Sequence, residues 1–64
     1  MTDRVRLTLV GLDGNAFALL GAFARAARQQ GWTQSAIKAV QDKATAGDYD
    51  NLLRVLIDNT WGDD

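Results

Sequence analysis

The chain has 64 residues, seven of them Lys or Arg and eight of them acidic, for a net charge of −1. It contains no Cys, His or Pro, which excludes disulfides, thiol and imidazole chemistry, and the nitrogen and sulfur ligands of a zinc site. An apolar content of 47% favours a folded domain over disorder. A domain this small buries only about 60% of its unfolded surface, so oligomerisation is the expected source of extra stability.

The first element is residues 4–10, RVRLTLV. Val5, Leu7 and Leu9 alternate with Arg4, Arg6 and Thr8, the period of a half-buried strand. No second strand is legible downstream. A lone strand leaves both edges with unpaired backbone groups, so the expected partner is the same strand of a second copy, in an isologous dimer. The alternative is an extended arm lying across the chain's own helices.

Gly11-Leu12-Asp13-Gly14 is a turn, and Asn15 suits the N-cap of the helix that follows. The turn has the spacing of a GxxG loop but follows a strand and lacks basic neighbours, and no Gly-Lys-Ser/Thr follows to make it a phosphate loop. Exposed amides around Gly11, Asp13, Gly14 and Asn15 could hold an anion at the helix N-terminus; a plain turn with its cap is the simpler reading.

The chain is organised around the helix expected over residues 15–30, NAFALLGAFARAARQQ. Phe17, Leu20, Ala24 and Ala27 share one face and Ala16, Leu19, Phe23 and Ala26 a neighbouring one, an apolar arc wider than the stripe of a surface helix. Gly21 costs about 1 kcal/mol relative to Ala, which predicts a close backbone approach there. Gly31 fits the C′ position. The helix is expected at a subunit contact, with an interface of Val5, Leu7, Leu9, Phe17, Leu20 and Phe23. Arg25 and Arg28 lie one turn apart on its less apolar side, where copies of the chain could bring them together on an anion; four solvated arginines, with Arg4 and Arg6, are the alternative.

Two more helices follow. Thr33 caps the second, residues 34–45, whose narrow stripe is Ala36, Ile37, Val40 and Ala44. Trp32 is expected to plug the corner before it. Gly47 ends that helix and Asp48 caps the third, residues 49–60, with Tyr49, Leu52, Leu53, Leu56 and Ile57 on its apolar side. Trp61 is expected to fold back on the bundle. The reading is a single domain over residues 1–64, mainly α with one N-terminal β-strand, in the order β-α-α-α with the strand paired between subunits.

Chemical motifs mostly fail on inspection. Ser35-Ala36-Ile37-Lys38 spells SxxK without its companion motifs. Asp48-Tyr49-Asp50-Asn51 starts like a calcium loop, but Leu53 and Asn59 stand where Gly and Glu are required. No enzyme activity, metal or cofactor is expected. In the second helix Gln34, Lys38, Gln41 and Lys43 are interrupted by Asp42, which makes a poor DNA-reading face. Residues 1–32 hold four arginines against two aspartates, and residues 33–64 hold three cations against six aspartates. The asymmetry could orient subunits or attract an anion, though ordinary solubilising charge also accounts for it.

At DGNAF (13–17), Gly31-Trp32 and GDYDNLL (47–53), the chain resembles a group of short uncharacterised proteins of bacteriophages and their bacterial hosts. That resemblance implies a phage-derived accessory protein that acts by binding, either inhibiting a host-defence protein or sequestering a nucleotide signal. Residues 17–59 are more loosely similar to ubiquitin-associated three-helix domains, without the Met that precedes their glycine-aromatic turn and with a foreign leading strand.

The expected function is therefore a small non-enzymatic binding protein acting through protein–protein contact as a homodimer or larger closed oligomer, with a host protein as a further partner. The alternative is an oligomer that sequesters a nucleotide-like small molecule through Arg25, Arg28, Gly11, Asp13, Gly14 and Asn15; a third option is a purely structural domain. Nucleic acid and membrane are not expected partners. With no apolar run of about 18 residues and no signal-peptide pattern at MTDRVRLTLVG, the expected location is the cytoplasm, and the phage resemblance implies that of a bacterial host.

Overall fold

The computed structural model describes residues 4–7 and 14–61. Strand β1 (Val5–Arg6) leads into three helices, α1 (Ala16–Gln29), α2 (Gln34–Ala44) and α3 (Tyr49–Asp58), and a final strand β2 (Thr60–Trp61) closes the described chain. The fold is mainly α with the expected β-α-α-α order. The three helices match their expected positions to within a residue or two at each end.

Each helix starts where the sequence supplies a cap. The side chains of Asn15, Thr33 and Asp48 accept backbone N–H bonds from Phe17, Ala36 and Asn51 respectively, satisfying donors that an N-terminal turn leaves open. Helix α1 ends in a Schellman motif. Gly31 N–H donates to the Arg28 carbonyl and Trp32 N–H to the Ala27 carbonyl, and Gly31 holds φ at +94°, a conformation that favours glycine. The same turn presents Trp32 edge-on to Phe23, with ring centroids 5.6 Å apart and an interplanar angle of 85°, a favoured aromatic arrangement.

The sequence reading missed β2. It pairs with β1 in parallel, Val5 opposite Thr60 and Arg6 opposite Trp61. Val5 N–H donates to the Asn59 carbonyl at 2.8 Å and Leu7 N–H to the Trp61 carbonyl at 3.3 Å. The third helix therefore stops at Asp58 rather than running to residue 60. Asn59 is the junction: its side-chain amide donates to the Val55 carbonyl at 2.8 Å, while its own carbonyl opens the ladder to β1. The opposite edge of β1 is closed by a side chain. Gln30 accepts from Arg6 N–H at 2.8 Å and donates to the Arg6 carbonyl at 2.9 Å. Within Val5–Leu7 the strand thus has partners on both edges inside its own chain, which removes the orphan-edge argument for a second copy at these residues. Thr8, Leu9 and Val10 lie outside the described residues.

The core lies where β1 and the three helices meet. Val5, Leu19, Phe23, Ala27, Ile37, Val40, Ala44, Leu52 and Leu56 are buried together. Val5 and Phe23, expected at a subunit interface, are fully enclosed by their own chain and have no surface to offer a partner. A two-residue ribbon docked on α1 supplies the cover that the helices alone lack.

Candidate functional site

Among the described residues, two surface features stand out. The first is an open groove of ≈ 270 Å³ between the start of α1 and the α2–α3 turn. Its lining includes Ala16, Phe17 and Leu20 from α1, Ala44 and Leu52 from the core, and Tyr49 at the start of α3. Phe17 stands at its lip with 84% of its surface exposed, and Tyr49 with 43%. Along α3 the four-residue spacing carries the apolar ridge from Tyr49 through half-buried Leu53 to Ile57, which is 59% exposed. Monomeric proteins scatter single apolar residues on their surfaces, but adjoining large ones mark contact sites.

Local sequence builds this groove. The Tyr49 hydroxyl donates to the Gly14 carbonyl, joining the α3 start to the turn before α1. Asn51 turns back and donates its amide to the Lys43 and Ala44 carbonyls at 2.9 and 3.3 Å, capping α2. Glycine at 47 leaves room for that cap: a Cβ there would lie 3.0 Å from Asn51 Cβ and 3.1 Å from its Cγ, a tight contact that would press on Asn51. Residues 14–17 and 47–53, far apart in sequence, therefore meet at one place. The Asp48 carboxylate on the rim already serves Asn51 N–H at 3.0 Å. What the groove offers chemically is burial of apolar side chains.

The second feature is a cleft of ≈ 230 Å³ lined by Arg4, Arg6, Gln30, Trp32 and Trp61. Its base is the β1–β2 pair. Val5 points into the core, so Arg4 and Arg6 share the outward face. The parallel register sets Trp61 beside Arg6, and the Arg4 guanidinium carbon lies 6.0 Å from the Trp61 ring centroid, over its face, within cation–π range.

The expected ligand set is not assembled. Arg25 and Arg28 are exposed on α1 and line neither cavity. Gly11 and Asp13 lie outside the described residues. Gly14 is tied through its carbonyl to Tyr49, and the Asn15 side chain takes the Phe17 N–H, an amide that an anion at this helix terminus would need. Among the expected interface residues, Leu7 and Leu20 are half-buried against the core, Phe17 is exposed, and Leu9 lies outside the described residues. Nor does Gly21 mark a close contact within the chain, since a Cβ there would meet nothing within 4 Å.

Sequence reasoning missed the groove because Phe17, Tyr49 and Leu52 are simply apolar helix positions until the α2–α3 turn is placed beside α1. It missed the cleft because nothing local at Trp61, expected only to fold back on the bundle, announces its pairing with β1. The available signal was a second tryptophan, Trp61, and two strand-face arginines, Arg4 and Arg6. The only ion pair among the described residues is Lys38–Asp42, 3.5 Å apart, one turn apart on α2 and well exposed, a type that contributes little. No described helix is long and apolar enough to cross a membrane. Comparison with protein-family models, curated proteins and solved structures finds no match to this chain.

Proposed function

We propose that the protein is a small non-enzymatic binding module that acts through protein–protein contact, and that the Phe17–Tyr49 groove with the Ile57 ridge is its contact surface. The observation that supports this most directly is Phe17, 84% exposed at the lip of an apolar groove. Burying one such side chain is worth about 1.5–3 kcal/mol. Its neighbour Tyr49 is held in place by a hydrogen bond to Gly14, which limits the ordering cost of binding.

A second copy of the chain is the first partner in this reading, now through helix faces rather than strand edges. The resemblance to phage accessory proteins supports a host protein as a further partner, which in this reading would be met in a bacterial cytoplasm. Light scattering over a concentration series tests self-association, and affinity capture from a bacterial lysate tests the host partner. The reading predicts that Phe17→Ser lowers the mass or the capture while circular dichroism stays unchanged. A wild-type chain that is monomeric at micromolar concentration and captures nothing defeats it.

A further inference from the structure

We propose that the Arg4–Arg6–Trp32–Trp61 cleft binds a nucleoside monophosphate, a ligand that joins one planar heteroaromatic ring to one phosphate. The site is separate from the Phe17 groove and does not depend on what that groove binds. Arginine forks match phosphate oxygens in a bidentate way, and two of them stand on one strand face. Arg4 lies over the Trp61 ring. At 6.0 Å from the centroid the guanidinium sits above the ring, and no ion pair among the described residues engages it, so its N–H donors are open to an anion.

The indoles account for the ring. Aromatic side chains stack on nucleobases with little preference among them, and both tryptophans border this one cleft. Trp32 is oriented by its edge contact with Phe23. Gln30, which forms the wall between Trp32 and the strand, is fixed by two hydrogen bonds to the Arg6 backbone. The walls are therefore in position before a ligand arrives.

Size and charge select a single nucleotide over a polymer. A cleft of ≈ 230 Å³ lies just under the usual range for small-molecule sites, about 300–1,000 Å³, and offers no track for successive bases. The chain as a whole is net negative, with six aspartates in its second half, which opposes a polyanion. Two of the four arginines in residues 1–32, Arg4 and Arg6, line the cleft.

Because the chain has two tryptophans and both line the cleft, fluorescence excited at the red edge of the indole band, where Tyr49 does not absorb, reads this site. The experiment titrates the full chain with AMP, CMP, GMP and UMP, and separately with adenosine, inorganic phosphate and a short single-stranded oligonucleotide. Isothermal calorimetry serves as the second measurement. The expected result is saturable binding of the monophosphates with Kd below about 1 mM. Adenosine and phosphate alone should bind at least tenfold more weakly, roughly the loss of one good contact. Arg4→Ala/Arg6→Ala should weaken AMP at least tenfold, Arg4→Lys/Arg6→Lys by less, and Phe17→Ser not at all; circular dichroism confirms that each variant folds. Three results would overturn the proposal: no saturable response to any monophosphate, phosphate binding as tightly as AMP, or an oligonucleotide binding far more tightly than AMP, which would instead mark a single-strand site.

Discussion

The side-chain amide of Gln30 pairs with both backbone polar groups of Arg6, accepting from its N–H at 2.8 Å and donating to its carbonyl at 2.9 Å. Gln30 is the C-cap residue of α1, so the end of the central helix acts as a third strand beside β1. A strand edge is a template for pairing with another chain, and one glutamine closes this one at Arg6. Gln30→Ala should therefore destabilise the fold by about 1 kcal/mol, the usual net value of an exposed hydrogen-bonded pair, read as a lower urea midpoint with unchanged slope. Gln30→Glu keeps the acceptor and loses the donor, and should fall between the two. An unchanged midpoint in both variants would show that the amide does not hold the strand.

Gly21 separates two accounts of the α1 surface. It is exposed, and a Cβ there meets nothing within 4 Å. Gly21→Ala should then stabilise the isolated chain by about 0.5–1 kcal/mol, from helix propensity alone, seen as a raised Tm. If a second copy packs closely on that face, the same substitution should also weaken association in light scattering. A raised Tm with unaltered mass would place the subunit contact elsewhere.

Gly47 behaves in the opposite way. A Cβ there would press on Asn51, the residue that caps α2, with its nearest atom at 3.0 Å. Gly47→Ala should cost about 1 kcal/mol, because Asn51, held to the Lys43 and Ala44 carbonyls, must give way and its cap weakens. Asn51→Ala should cost about 1 kcal/mol for the cap by itself. Chemical denaturation of the two variants checks both values, and a neutral Gly47→Ala would show that the α2–α3 turn relaxes freely.

Phe17 and Phe23 lie on the same helix and differ in burial, 84% against 0% exposed. Phe23→Ala should cost about 3–5 kcal/mol, a large share of the stability of a chain this short. Phe17→Ser should change stability by less than about 0.5 kcal/mol. Thermal melts of the two variants should therefore diverge widely, and a large loss for Phe17→Ser would mean that this ring packs in the native state.

Much of the fold could be read along the chain because its determinants are local. Asn15, Thr33 and Asp48 each announce a helix start, Gly31 and Gly47 announce ends, and the 3.6-residue period of Leu19, Phe23 and Ala27 marks the buried side of α1. The sequence also identified Trp32 as a corner plug, since a glycine-aromatic break between two amphipathic runs leaves that ring one place to go.

Other features depend on which distant segments meet, and no short-range pattern encodes that. Thr60–Trp61 becomes a strand only because Val5–Arg6 lies beside it, and two residues carry no readable period. Gln30 closes an edge, Tyr49 reaches Gly14 and Trp61 joins Arg4 across sequence separations that only packing can bridge. The wide apolar arc of α1 was legible in the sequence. Which part the chain would cover for itself, at Phe23, and which part it would leave in water, at Phe17, was decided by how the strand pair and the two later helices divided that surface between them.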